Sequence, residues 1–345
     1  MVTGFLVYKL IMVLVVFLVS LGVAAYSTYG ERKFAAFLQD RIGPNRAGPF
    51  GLLQPIADGV KMFMKEEFIP AASNKWLFIL GPSIAMLTAL MTGVVVPWGR
   101  PLVMNGEVYP MQIADINIGI LYVFGVVSIG VYGIMIGGWA SNNKYALLGS
   151  LRASSQMISY EIAMGMSIIA VIMMTGTLSL SETVTSQGAV WNVFYQPLGF
   201  LIFLICAFAE TNRAPFDLPE SETELVGGYH TEYSSMKLGF YLFAEYVNMF
   251  ISSAIISTIY FGGYNYPGME WVSEQVGPIL ATIISVFVFL IKVFFFIMVF
   301  MWVRWTLPRF RYDQLMNLGW KILLPLSLAN ILLTGLVMYA FGYIK

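Results

Sequence analysis

The chain has 345 residues, 58% of them hydrophobic and only 11% charged, with 19 Lys and Arg balancing 19 Asp and Glu. A soluble domain carries about 25% charged residues, so a water-soluble fold of this length cannot hide so much apolar surface, and the neutral balance gives no footing for a polyanion such as nucleic acid. A single cysteine, Cys206, and a single histidine, His230, exclude a disulfide framework, a protein-held iron–sulfur cluster and a His/Cys zinc site, and leave any catalytic triad resting on His230 alone. An all-α integral membrane protein remains.

Apolar runs predict about eight transmembrane helices near 6–29, 77–97, 117–138, 159–180, 194–210, 239–262, 279–303 and 322–343. Each offers close to the roughly 20 residues that cross a bilayer, and they are apolar on every face rather than alternating, which argues against strands. The first run is too long for a cleavable signal and ends in Glu31-Arg32-Lys33, a stop-transfer flank. Residues 31–41 are expected to carry this helix beyond the membrane. GPNRAGPFG (43–51) then forbids a helix through its glycines and prolines. Leu52, Leu53, Ile56, Val60, Phe63 and Met64 recur at helical spacing and predict an amphipathic interfacial helix, with a plain surface anchor as its blander role.

Gly133 and Gly137 in the third span form a GxxxG pair, a sign of close helix packing. Glu161 is expected to open the fourth span. The fifth span is the shortest because 181–192 is polar. After it, Glu210, Asp217, Glu220, Glu222, Glu224 and Glu232 face a single Arg213, interleaved with Phe216, Leu218, Leu225, Val226, Tyr229 and Tyr233. A segment of this composition folds back onto protein, and carboxyls crowded in a partly dry site raise one another's proton affinity. Glu245 lies inside the sixth span and Lys292 midway along the seventh. Charges at membrane depth are costly and mark ion or proton paths, with a snorkelling end residue as the simpler reading for Glu161 and a structural ion pair for Glu245 and Lys292. No GxGxxG follows a strand and there is no Walker loop, so nucleotide binding by this chain is not expected.

Fifteen of the 19 basic residues fall in the odd-numbered loops, about 30–76, 139–158, 211–238 and 304–321. Basic loops stay on the cytoplasmic side, which places both termini on the periplasmic side of a bacterial inner membrane, in a single polytopic unit spanning 1–345. No internal repeat is evident, which counts against the inverted-repeat transporters.

Four stretches resemble the H-type (ND1) membrane-subunit family of proton-pumping NADH:quinone oxidoreductase (respiratory complex I): DRIGPNRAGPFGLLQPIADGVK (40–61), GWASNNKYALLGSLRASSQMISYE (138–161), AETNRAPFDLPESETELVGGYHTEYSSMK (209–237) and LPRFRYDQLMNLGWK (307–321). The resemblance implies a chamber for a quinone such as ubiquinone, built with the hydrophilic arm and lined or supported by Arg32, Arg41, Arg46, Asp58, Arg213, Phe216, Asp217, Phe240 and Arg304. It also implies a carboxylate chain through Glu161, Glu210, Glu220, Glu222, Glu224, Glu232 and Glu245, to which the charge at Lys292 is added as a candidate from its depth in the membrane. It implies quinone as substrate, no redox centre bound by this chain, and NADH, FMN and iron–sulfur clusters in partner subunits. The expected partners are the quinone-site subunits of the hydrophilic arm, neighbouring small membrane subunits and lipids. A homologous component of a membrane-bound hydrogenase or other-donor dehydrogenase, a stand-alone cation/proton transporter using Glu161, Glu245 and Lys292, and a quinone-binding scaffold without a pumping role are the alternatives at this point.

Overall fold

A computed structural model describes residues 2–104, 107–188, 190–219 and 222–341. Its first helix, α1 (Val2–Leu38), runs 37 residues, about 55 Å at 1.5 Å per residue. It is therefore longer than a crossing of a hydrocarbon layer of roughly 30 Å requires, and the helix continues through residues 31–38. The turn that follows depends on glycine. Gly43, Gly48 and Gly51 all have positive φ, and a Cβ on Gly51 would lie 2.4 Å from the Pro44 carbonyl oxygen. The chain then enters α2 (Gln54–Met64), whose Ile56, Val60, Phe63 and Met64 are exposed. The predicted amphipathic helix is present, with its apolar face turned away from the protein.

α3 (Lys75–Thr92) leads to a small antiparallel hairpin, β1 (Leu102–Met104) with β2 (Glu107–Tyr109), and then to α4 (Gly119–Ala140). α3 and α4 pack through glycine. A Cβ on Gly133 would sit 2.8 Å from the Ala85 amide nitrogen and 3.0 Å from the Gly81 carbonyl, so backbone meets backbone and the GxxxG reading holds.

α5 spans Lys144–Thr175, so the loop predicted over 139–158 shrinks to a turn capped by Asn143, whose side chain accepts from the Tyr145 amide. Small residues such as Ala146, Gly149, Ser150 and Ala153 read as loop in the sequence. They are buried helix positions, and a Cβ on Gly149 would be 2.7 Å from the Tyr229 nitrogen. Glu161 lies 17 residues, about 26 Å, into α5, in the middle of a helix that starts well before it.

Short helices α6 (Leu180–Ser186) and α7 (Asn192–Tyr195) precede α8 (Pro197–Glu210). At 14 residues, about 21 Å, α8 is too short to cross alone. Among the described residues seven helices are long and apolar enough to span a membrane, and α8 is a shorter apolar helix at the place of the predicted fifth span. The Ala214–Pro215 peptide is cis, and the loop beyond it holds α9 (Glu222–Leu225). α10 (Ser235–Tyr260) is the inner helix, touching α1, α2, α3, α8 and α12. Two of its buried serines are satisfied within the helix, Ser253 donating to the Met249 carbonyl and Ser257 to that of Ser253, at 2.7 and 2.8 Å. α11 (Met269–Val276), α12 (Pro278–Thr306), α13 (Tyr312–Asn317) and α14 (Leu324–Ala340) complete the chain.

Because the atoms facing Gly133 are backbone and cannot step aside, Gly133→Ala is expected to cost about 1–3 kcal/mol, the usual range for overpacking. A lowered thermal midpoint in detergent checks this, and an unchanged midpoint contradicts the α3–α4 contact.

Candidate functional site

The best-buried ion cluster forms where the end of α1 meets α10, α12 and the loop after α8. The Arg213 Nη1 donates to Glu31 Oε2 at 2.7 Å, Arg304 Nη1 approaches Glu31 Oε1 at 2.5 Å, and the Tyr246 hydroxyl donates to Glu31 Oε2 at 2.9 Å. The Arg213 guanidinium also lies 4.1 Å from the centre of the Tyr246 ring. The Arg213 and Glu31 side chains are only 3% and 5% exposed. Burial works against the Arg213 charge, but Glu31, and beyond it Tyr246 and Glu245, hold the guanidinium more firmly protonated than an ordinary arginine.

Beside this cluster a cleft of about 170 Å³ opens between α1, α2 and α10, lined by Thr28, Arg32, Asp58, Met62, Phe243 and Tyr246. Arg32 Nη1 donates to Asp58 Oδ2 at 2.7 Å, and Gln54 and Lys61 also reach this carboxylate. Tyr246 is common to both features, with its ring on the cleft and its hydroxyl on Glu31.

The loop behind the cluster is held from three directions. Gln156 Nε2, on α5, donates to the Ala209 and Phe216 carbonyls, both at 2.8 Å. The Phe310 amide donates to the Pro215 carbonyl at 3.1 Å, and Arg309 Nη2 donates to Asp217 Oδ2 at 2.7 Å. Phe216 is buried between the rings of Tyr160 and Phe310. It contributes packing beneath the loop, whereas Phe240 is exposed on α10. Arg41 and Arg46 lie exposed on the first loop, Arg41 donating to Gln39 at 2.8 Å.

Deeper in, Glu210 and Glu245 line one cavity of about 50 Å³ together with Thr88, Thr92, Asn248 and Ser252. A water needs roughly 10–15 Å³ and two to four polar partners, so the space suits a short file of waters. The Tyr229 hydroxyl donates to Glu245 Oε1 at 3.0 Å, and Glu210 Oε2 has no hydrogen-bond partner among the described residues. A second cavity of about 30 Å³ shares Val127, Glu210, Ser252 and Ile255 with the first. Glu161 accepts from the Ser128 hydroxyl and lies within electrostatic reach of Glu210, as Glu245 does of Arg213. Glu31, Arg213, Glu245, Glu210 and Glu161 therefore form one polar row between the cleft and the interior of the helix bundle.

Other predicted carboxylates stand outside that row. Glu224 pairs with Arg152 at 2.6 Å on the surface, and Glu232 accepts from Asn143 Nδ2 at 2.6 Å. Glu220 lies outside the described residues, and Glu222 begins α9. Lys292 meets the end of α10, donating to the carbonyls of Phe261, Gly263 and Asn265.

The model of one protein family, described as NADH dehydrogenase, matches residues 10–335. The chain belongs to this family. It is 65% identical to an H subunit of the NADH-quinone oxidoreductase of Cytophaga hutchinsonii, with 98% of each chain covered. Identity to the H subunit of the same enzyme from Flavobacterium johnsoniae is 64%, covering 97% of this chain and 96% of that one. An H subunit from Geobacter sulfurreducens is 49% identical over 94% of each chain.

For a member of this family the residue that sequence reading overlooked is Glu31. It appears there only as the acid of a Glu-Arg-Lys flank, and no periodicity announces that α1 turns it inward while Arg32 faces the cleft. Tyr246 and Ser128 were equally invisible, because a hydroxyl in an apolar helix carries no signal until its partner is known.

Removing one partner of a buried pair leaves an uncompensated charge, at a cost of about 3–5 kcal/mol, whereas an exposed pair contributes about 0–1 kcal/mol. Glu31→Ala strands both Arg213 and Arg304 and is expected to destabilise in the upper range, while Arg32→Ala, at a side chain 49% exposed, is expected to stay within the lower one. Thermal unfolding of the two variants in the same detergent checks this contrast.

Proposed function

We propose that the chain is the membrane component of a proton-pumping NADH:quinone oxidoreductase that forms the quinone chamber with the hydrophilic arm and passes the consequence of quinone reduction into the membrane. The observation that carries this reading is the row of charged and carboxyl groups from the Arg32–Asp58 cleft through Glu31, Arg213 and Glu245 to Glu210 and Glu161.

A quinone needs an apolar passage for its tail and polar groups for its head. The cleft between α1, α2 and α10 offers Phe243, Leu242 and Met62 for the first and Arg32, Asp58 and Tyr246 for the second. In this reading the exposed apolar face of α2 lies along the membrane surface and guides the quinone inward. Arg213, with Nε and Nη2 left without hydrogen-bond partners among the described residues, supplies positive charge on the head-group side, and Arg41, Arg46, Asp217 and Arg304 support the wall facing the hydrophilic arm.

Reduction of a quinone to a quinol takes two electrons and two protons. The electrons arrive from an iron–sulfur cluster of a partner subunit, with NADH and FMN also bound by partners, since the residues here offer no ligand set for a redox centre. Each proton demanded near Arg213 changes the charge felt by Glu245, and a water file between Glu245 and Glu210 carries that change toward Glu161 and on to neighbouring membrane subunits. The odd-numbered loops face the bacterial cytoplasm, where the hydrophilic arm docks, and both termini face the periplasm.

In the assembled complex, Glu245→Gln is expected to leave assembly intact and cut proton pumping roughly tenfold or more, equivalent to about 1.4 kcal/mol or more. Fully coupled turnover of that variant would sink the proposal. Asp217→Asn is expected to slow quinone reduction more than electron transfer to a hydrophilic artificial acceptor, and equal slowing of both would remove Asp217 from the chamber wall.

A further inference from the structure

Lys292 presents chemistry that proton transfer does not require. It sits 14 residues into the 29-residue α12, where a charge has to be compensated inside the protein. Its Nζ donates to three backbone carbonyls at the end of α10, those of Phe261 and Gly263 at 2.8 Å and that of Asn265 at 2.6 Å. These are charge-assisted hydrogen-bond distances, and together they occupy all three ammonium donors. The Trp191 ring covers the same Nζ at 4.8 Å from its centroid.

The backbone is shaped to bring these oxygens together. Gly262 and Gly263 both have positive φ, and a Cβ on Gly263 would lie 2.7 Å from a Val184 methyl. Neighbouring carbonyls of α10 are taken by neutral donors, Gln187 Nε2 on Thr258 and Asn192 Nδ2 on Ile259, each at 2.9 Å. The Phe261, Gly263 and Asn265 carbonyls instead converge on the Lys292 ammonium. A helix C-terminus with unwound carbonyls beyond it is the arrangement with which membrane proteins hold small cations.

We propose that the carbonyls of Phe261, Gly263 and Asn265, covered by Trp191, form a site for a small monovalent cation of ammonium or potassium size, and that the chain fills it with its own Lys292. The tethered cation holds the end of α10, the helix that carries Glu245 and Tyr246, and Lys292 is a positioning residue rather than a member of the proton row. The proposal does not depend on the quinone reading, because its readouts are stability and cation dependence, not turnover.

The test uses the complete complex purified in mild detergent. Lys292→Met keeps length and removes charge, and it should lower the thermal midpoint by several degrees and the yield of assembled complex severalfold. Lys292→Ala opens the site, and its midpoint should rise in potassium or ammonium chloride relative to sodium or lithium chloride at equal ionic strength, while the unmodified complex is indifferent to the exchange. The proposal is overturned if Lys292→Met is as stable as the unmodified protein, whether or not it pumps, or if assembled Lys292→Ala shows no preference among these cations. Should Lys292→Ala fail to assemble in every salt, the aromatic face decides. Trp191→Leu should then be clearly less stable than Trp191→Phe, and equal midpoints overturn the proposal.

Discussion

The structure turns on the burial of a carboxylate between two guanidinium groups. Glu31 with Arg213 removes two charges from water at the point where α1, α10, α12 and the loop after α8 converge, and the partly exposed Arg304 pairs with the same carboxylate. Desolvation of that kind is unfavourable by several kcal/mol per ion and is tolerated only with close pairing and further hydrogen bonds. Tyr246 supplies both a hydroxyl to Glu31 and a ring to Arg213. The cluster therefore constrains four elements at once, and the cleft on one side and the carboxyl-lined cavity on the other inherit their positions from it.

The same demand for satisfaction explains the irregular parts. α8 covers about 21 Å, and the rest of its passage is completed by α6 and α7. Non-helical backbone at that depth is stable only where protein groups replace water. Gln187, Asn192, Asn265 and Lys292 do this, their side chains reaching carbonyls of α6 and of the end of α10. Cavity space is placed accordingly, beside Glu210 and Glu245, where polar groups can hold water.

Much of the fold was legible along the chain. The long apolar helices, the continuation of α1 through residues 31–38, the turn at 43–51 and the apolar register of Ile56, Val60 and Phe63 follow from local composition and period. The site was legible in part. Glu245 was recognisable because charge at membrane depth is rare and Glu210 as the first acid of the crowded loop, and they do share a cavity. Residues 144–158 misled, because the same small residues that suit a loop also allow a buried helix to touch the 228–229 backbone. Arg152 with Glu224 and Asn143 with Glu232 show the opposite case, carboxylates of one acidic segment drawn to surface partners instead of into the row.

Composition and periodicity alone determined that this is a membrane protein of many helices, roughly where each helix lies and which acids sit at depth. Those properties are sums of transfer free energies over contiguous residues, and they need no knowledge of neighbours. Tertiary structure alone decided that Glu31 meets Arg213, 182 positions away, that Glu161 lies in the middle of its helix, and that Lys292 holds carbonyls rather than a carboxylate. A buried charge is stabilised by whichever partner comes within about 3 Å, and that distance is set by how helices far apart in sequence pack together.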